Sequence, residues 1–138
     1  MRTTKLALIP LLFLATLSAS AADLTIQIDD IKSADGQIMI ALFNSAATFQ
    51  SAPVKATAVA AAAGSTTVTI ADLPAGDYAI ALYHDANGNG QLDRNALGMP
   101  TEDYAFSNNA MGQRGAPSFD AARIALPPAG ATTRISLR

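Results

Sequence analysis

Leu24, Ile26 and Ile28 alternate with Thr25, Gln27 and Asp29, and the same period of two returns at Thr66, Val68, Ile70 and at Tyr78, Ile80, Leu82. An extended backbone turns successive side chains to opposite faces, so these segments read as half-buried strands. Residues 37–44, rich in Ile, Leu and Phe, follow Asp35-Gly36, a pair tolerant of positive φ. The first two strands therefore read as a hairpin. Between 45 and 63 the alanines favour helix, but Pro53 interrupts and Gly64 ends the stretch. A loop to Pro53 and a strand over 54–62 are expected. Leu73-Pro74-Ala75-Gly76 makes a tight turn, and Pro127-Pro128-Ala129-Gly130 separates two last strands over 118–126 and 132–137. About seven short strands, punctuated by turns and free of helix, predict an all-β, antiparallel, immunoglobulin-like sandwich of two sheets.

Residues 1–21 have the three zones of a secretory signal peptide. Arg2 and Lys5 are basic, 6–17 is apolar, and Ala19-Ser20-Ala21 offers small residues to a peptidase. The apolar run is short of the ~18 residues that a permanent membrane anchor needs. Cleavage after Ala21 is expected, leaving a single exported domain over 22–138, periplasmic or extracellular. A chain of that length buries roughly two-thirds of its surface on folding and can hold a core without staples. The sequence has no cysteine. That excludes disulfides, a lipoprotein attachment site, thiolate metal sites and a cysteine nucleophile. Without Arg2 and Lys5, seven basic residues face eleven acidic ones, a net charge of about −4. The scattered arginines form no basic stripe, so nucleic acid is not an expected partner.

After His84 the periodicity lapses over 85–117. An aperiodic stretch this long is unusual inside a compact domain. Tyr104, Phe106, Leu97 and Met99 offer apolar anchors, so one long ordered loop is expected. Its start matches the first nine positions of a calcium-binding loop. Asp85, Asn87 and Asn89 fall at positions one, three and five, Gly90 at six, Gln91 at seven and Asp93 at nine. Oxygen ligands at alternate positions around a turning glycine suit this hard cation. Position twelve is Ala96, where a bidentate glutamate would close the site. Glu102 or Asp103 is the available replacement. In the bland reading, Asn87-Gly88 and Asn89-Gly90 only form turns, and the two aspartates accept hydrogen bonds from loop amides.

His84, the single histidine, is a general-base candidate with Asp85 or Asp93. Neighbours along a strand point to opposite faces, however, which favours a strand-end residue that fastens the loop. Tyr104, Phe106 and Phe119 with Asn108 and Asn109 either line a ligand surface or anchor the loop and satisfy its backbone.

Several separated motifs occur in order: Leu73-Pro74-Ala75-Gly76-Asp77-Tyr78, then 83–93, then Leu97-Gly98-Met99-Pro100, Phe106-Ser107-Asn108-Asn109 and Pro117-Ser118-Phe119-Asp120-Ala121. With them the chain resembles the bacterial exported family known as domain of unknown function 2141 (DUF2141). The Leu-Pro-Ala-Gly-x-Tyr turn also resembles transthyretin-like and carboxypeptidase-regulatory sandwiches, which bears on fold and not on activity. Three functions remain open: a non-catalytic binding or accessory domain for a protein or small-molecule ligand, with weak calcium binding at 85–93; a hydrolase using His84 with Asp85 or Asp93; and a purely structural envelope protein.

Overall fold

The computed structural model describes residues 20–138, so the leader expected over 1–21 lies outside it except for Ser20 and Ala21. Eight strands follow in order: β1 (Ala21–Ile31), β2 (Gln37–Phe43), β3 (Lys55–Ala60), β4 (Gly64–Pro74), β5 (Gly76–Asp85), β6 (Tyr104–Phe106), β7 (Ile124–Leu126) and β8 (Ala131–Ser136). A single helical turn, α1 (Phe119–Ala122), precedes β7. The strands form two sheets, β4-β1-β8 and β3-β2-β5-β6, with β7 also paired to β5. This is an all-β sandwich.

Leu24, Ile26 and Ile28 of β1 are fully buried between the sheets, against Ile38 and Leu42 of β2, Ile80 of β5 and Ile135 of β8. Each such side chain contributes about 1.5–3 kcal/mol by leaving water. The stretch 54–62 forms β3, as its sequence predicts, because pairing with β2 outweighs the helix propensity of alanine.

Four local expectations are corrected. β1 and β2 do not form a hairpin: β1 pairs with β4 and β8, while β2 pairs with β3 and β5. Asp35-Gly36 is instead a corner that carries the chain from one sheet to the other. β1 and β8 run parallel, so that ladder departs from the antiparallel pattern. Within 118–126, Ser118 Oγ accepts from the Ala121 amide at 3.1 Å and caps α1, leaving only β7 as strand. Finally, Leu97 and Met99 anchor nothing: they are 86% and 60% exposed.

The long interval contributes β6 and a 3-10 turn over Ser107–Asn109. β7 pairs with the start of β5 and β6 with its later part, so a gap opens on one edge at Ile80. Ser107, fully buried, fills it. Its hydroxyl accepts from the Ile80 amide at 2.9 Å and donates to the Ala122 carbonyl. On the outer face of the same sheet, Phe49 makes edge-to-face contacts with Phe43, Phe106 and Phe119, with ring centroids 5.3–6.2 Å apart.

Candidate functional site: the acidic loop after β5

β5 ends in two residues whose side chains part. His84 is buried, and its Nε2 lies 2.7 Å from the carbonyl oxygen of Asp35. A carbonyl only accepts, so Nε2 carries a proton and donates this bond. The ring fastens the inter-sheet corner and does not meet the carboxylates of the loop. Gly36, next along that corner, has φ +64° and presses on the β5 terminus; a Cβ there would stand 1.9 Å from the Asp85 carbonyl oxygen.

Asp85 itself is fully buried. Its Oδ1 accepts from the Asn89 amide at 3.2 Å and its Oδ2 from the Gly90 amide at 2.8 Å. Gly90, with φ +75°, lets the chain turn back for that contact. Among the described residues no lysine or arginine pairs with Asp85. Amide hydrogen bonds alone therefore offset the cost of burying this charge.

The rest of the loop closes over Asp85. Asn87 Nδ2 donates to Asp93 Oδ2 at 2.5 Å, and Asn89 Nδ2 to Asp93 Oδ1 at 2.7 Å. Both amide oxygens face backbone, Asn87 Oδ1 accepting from the Asn89 amide and Asn89 Oδ1 from the Gln91 amide. Hydrogen bonds from Asn89 and then Asn87 hold the Asp93 carboxyl below its ordinary range. Glu102 Oε2 accepts from the Asp93 amide at 3.1 Å, which brings a further carboxylate back to the loop. Asp103 goes elsewhere: its carboxylate pairs with Lys32 at 2.9 Å and its carbonyl accepts from the His84 amide. Of the two candidate replacements for Ala96, the structure thus brings Glu102 to the loop and leaves the Asp103 carboxylate paired with Lys32. Ala96 sits exposed in a tight excursion between Arg94 and Pro100.

Tyr83, on the same face of β5 as the loop, reports the concentration of charge. Burial, and after it the charges of Asp85, Glu102 and Asp93, push its hydroxyl above the usual phenol value. Even so, no three His, Cys, Asp or Glu side chains form a metal-holding group among the described residues. A cation here would draw on two carboxylates, side-chain amides and carbonyls.

The amides of Asn108 and Asn109 satisfy backbone. Asn108 Nδ2 donates to the Ala121 and Arg123 carbonyls, and Asn109 Oδ1 accepts from the Ser136 amide. Phe106 and Phe119 are buried anchors, whereas Tyr104 is 37% exposed.

The loop also walls an apolar trough of about 580 Å³ on the outer face of β3-β2-β5-β6. Strand register places Ala56, Ala41, Ala81 and Phe106 side by side across that face, and Ala58, Met39, Tyr83 and Tyr104 in the next row. Leu92 and Arg94 of the loop complete the wall. Sequence reading did not single out this face. The signal was there: Met39-x-Ala41-x-Phe43 and Ala79-x-Ala81-x-Tyr83 leave both faces of β2 and β5 apolar, where a solvated face would alternate to polar.

No curated protein and no solved structure gives a significant match to the chain. A family model does, over residues 26–135, from the first buried isoleucine of β1 to the last of β8. Fold, ordered motifs and that match agree, and the chain belongs to the family described as an uncharacterized protein conserved in bacteria, DUF2141.

Proposed function

We propose that this chain is an exported, non-catalytic binding or accessory domain whose loop over 85–93 takes a calcium ion weakly. The observation that carries the metal reading is Asp85, a fully buried carboxylate with no cationic partner among the described residues. The charges of Asp85, Glu102 and Asp93 are all felt at the Tyr83 hydroxyl. A divalent cation offsets such crowding better than amides alone. Asn87 and Asn89 supply neutral oxygens, each with a second lone pair beyond its backbone bond. Calorimetric titration of the mature protein with calcium tests this, with Asp85→Asn as the control that removes the charge and keeps the shape.

A second reading has its own support. Every carboxylate oxygen of Asp85 and Asp93 already accepts a hydrogen bond within the loop. On that reading the loop is a metal-free clasp on the end of β5, and titration gives no heat.

The non-catalytic reading draws on His84, whose Nε2 proton is committed to the Asp35 carbonyl and whose ring is buried. A positioned acid–base group contributes about 10²–10⁴-fold to a rate. His84→Ala is therefore expected to leave any hydrolytic turnover within about tenfold; a loss of three decades with the fold intact would establish the hydrolase instead.

A further inference from the structure

The two outer faces of the sandwich differ in chemistry. On the β4-β1-β8 sheet, register aligns Thr69, Thr25 and Thr132, then Thr67, Gln27 and Arg134. That is an ordinary solvated face. On the other sheet, the trough that the acidic loop walls is apolar across four strands. We propose that this trough binds a linear amphipathic carboxylate, its acyl chain lying across the strands and its head group on Arg94. The proposal rests on the binding-domain reading and not on the calcium site.

Shape supports an extended chain. Ala56, Ala41 and Ala81 form a low floor, with Met39 and Tyr83 on one side, Phe43 on the other and the Phe106 ring closing the β6 end. Strands lie ~4.8 Å apart, so the floor from β3 to β5 runs roughly 10 Å, the reach of a medium-length acyl chain. The volume falls within the ordinary range for small-molecule sites, and the mostly apolar lining with few polar groups is their usual composition.

Charge selects the head group. Among the described residues Arg94 is the only charged one that lines the trough. Its Nη1 donates to the Gly98 carbonyl at 3.0 Å, which steadies the side chain, and it makes no ion pair among the described residues. The remaining donors of the guanidinium suit a carboxylate in fork geometry. Among the described residues no acidic side chain lines the trough itself; the nearest carboxylates are those of the loop behind Tyr83, and Arg94 stands on the trough side.

Titration of the mature protein with decanoate in calcium-free buffer tests the proposal, with decan-1-ol as the uncharged probe of equal length. Decanoate is expected to bind one to one, at least tenfold tighter than the alcohol. Arg94→Gln should remove that preference, and Ala41→Leu, on the half-exposed floor, should abolish binding of both. Should Ala41→Leu not fold, as judged by circular dichroism, Arg94→Gln on the exposed loop still decides. Equal affinity for the two probes overturns the carboxylate assignment, and binding that survives a folded Ala41→Leu overturns the location. Absence of decanoate binding overturns the proposal alone if calcium still raises the melting temperature. If sedimentation then gives a dimer that Ala41→Leu dissociates, a second copy of this chain is the occupant.

Discussion

The Nε2–H of His84 donates to the carbonyl of Asp35 at 2.7 Å, tying the corner between the sheets to the strand end from which the acidic loop departs. Through this bond the candidate calcium loop is mounted on both sheets. Asp35 belongs to the crossover from β1, and His84 to β5.

The close approach of Gly36 to Asp85 predicts a large effect from a small substitution. Gly36→Ala places a methyl 1.9 Å from the Asp85 carbonyl oxygen at a φ of +64°. Overpacking and left-handed strain together cost about 2–4 kcal/mol. A melting temperature lower by roughly 10 °C is expected. An unchanged melt would mean that the corner is not seated on β5.

Ser107 predicts a second sensitive position. Ser107→Ala strips the buried Ile80 amide of its acceptor and the Ala122 carbonyl of its donor. Unsatisfied buried groups cost about 1–3 kcal/mol each, so a loss of about 2–6 kcal/mol in denaturant unfolding is expected. Asn108→Ala loses two exposed hydrogen bonds and puts alanine at a φ of +61°, so about 1–2 kcal/mol is expected by the same measurement.

Much of this fold is legible in the sequence, and the reasons it is not fully so are specific. Alternation identified the strands of the core because burial on one face leaves a period of two. It could not show that Asp35-Gly36 joins different sheets, since a turn residue looks the same in a hairpin and a crossover. β6 was hidden because a three-residue strand is too short to show alternation. In the site, the Asp-x-Asn-x-Asn-Gly spacing located the loop. The choice of Glu102 over Asp103 depends on where the chain returns, which the spacing does not encode. Leu97 and Met99 look like anchors by type, yet a tight excursion holds them out in solvent.

Alkaline pH should destabilise the sandwich through Tyr78. Burial raises the pKa of its hydroxyl, which donates to the Pro74 carbonyl at 2.6 Å. A raised folded-state pKa makes this contribution complete below the unfolded value near 10 and lost as pH rises through the folded value. Stability is expected to fall above about pH 10, and Tyr78→Phe should flatten that fall in unfolding curves. A variant with the same alkaline slope as the wild type would assign it to another group.

Export should remove 1–21 and leave Ala22 as the first residue. Mass spectrometry of the protein from the envelope or medium checks this. An intact Met1 there would make the segment an anchor.

Calcium binding at the loop is tested most directly by thermal unfolding of the mature protein with and without calcium. Only two loop carboxylates, Asp85 and Asp93, are available as charged ligands, which implies weak affinity, roughly 10⁻⁴–10⁻³ M, the range of extracellular modules. At ten times the dissociation constant, binding to the folded state alone adds about 1.4 kcal/mol. A melting temperature raised by several degrees is therefore expected for a domain of this size. Asp85→Asn should lose the increment, and magnesium should give little of it because it demands a tighter octahedral shell. A wild-type melting curve that does not move in several millimolar calcium would contradict the account and leave the loop as a metal-free clasp on β5.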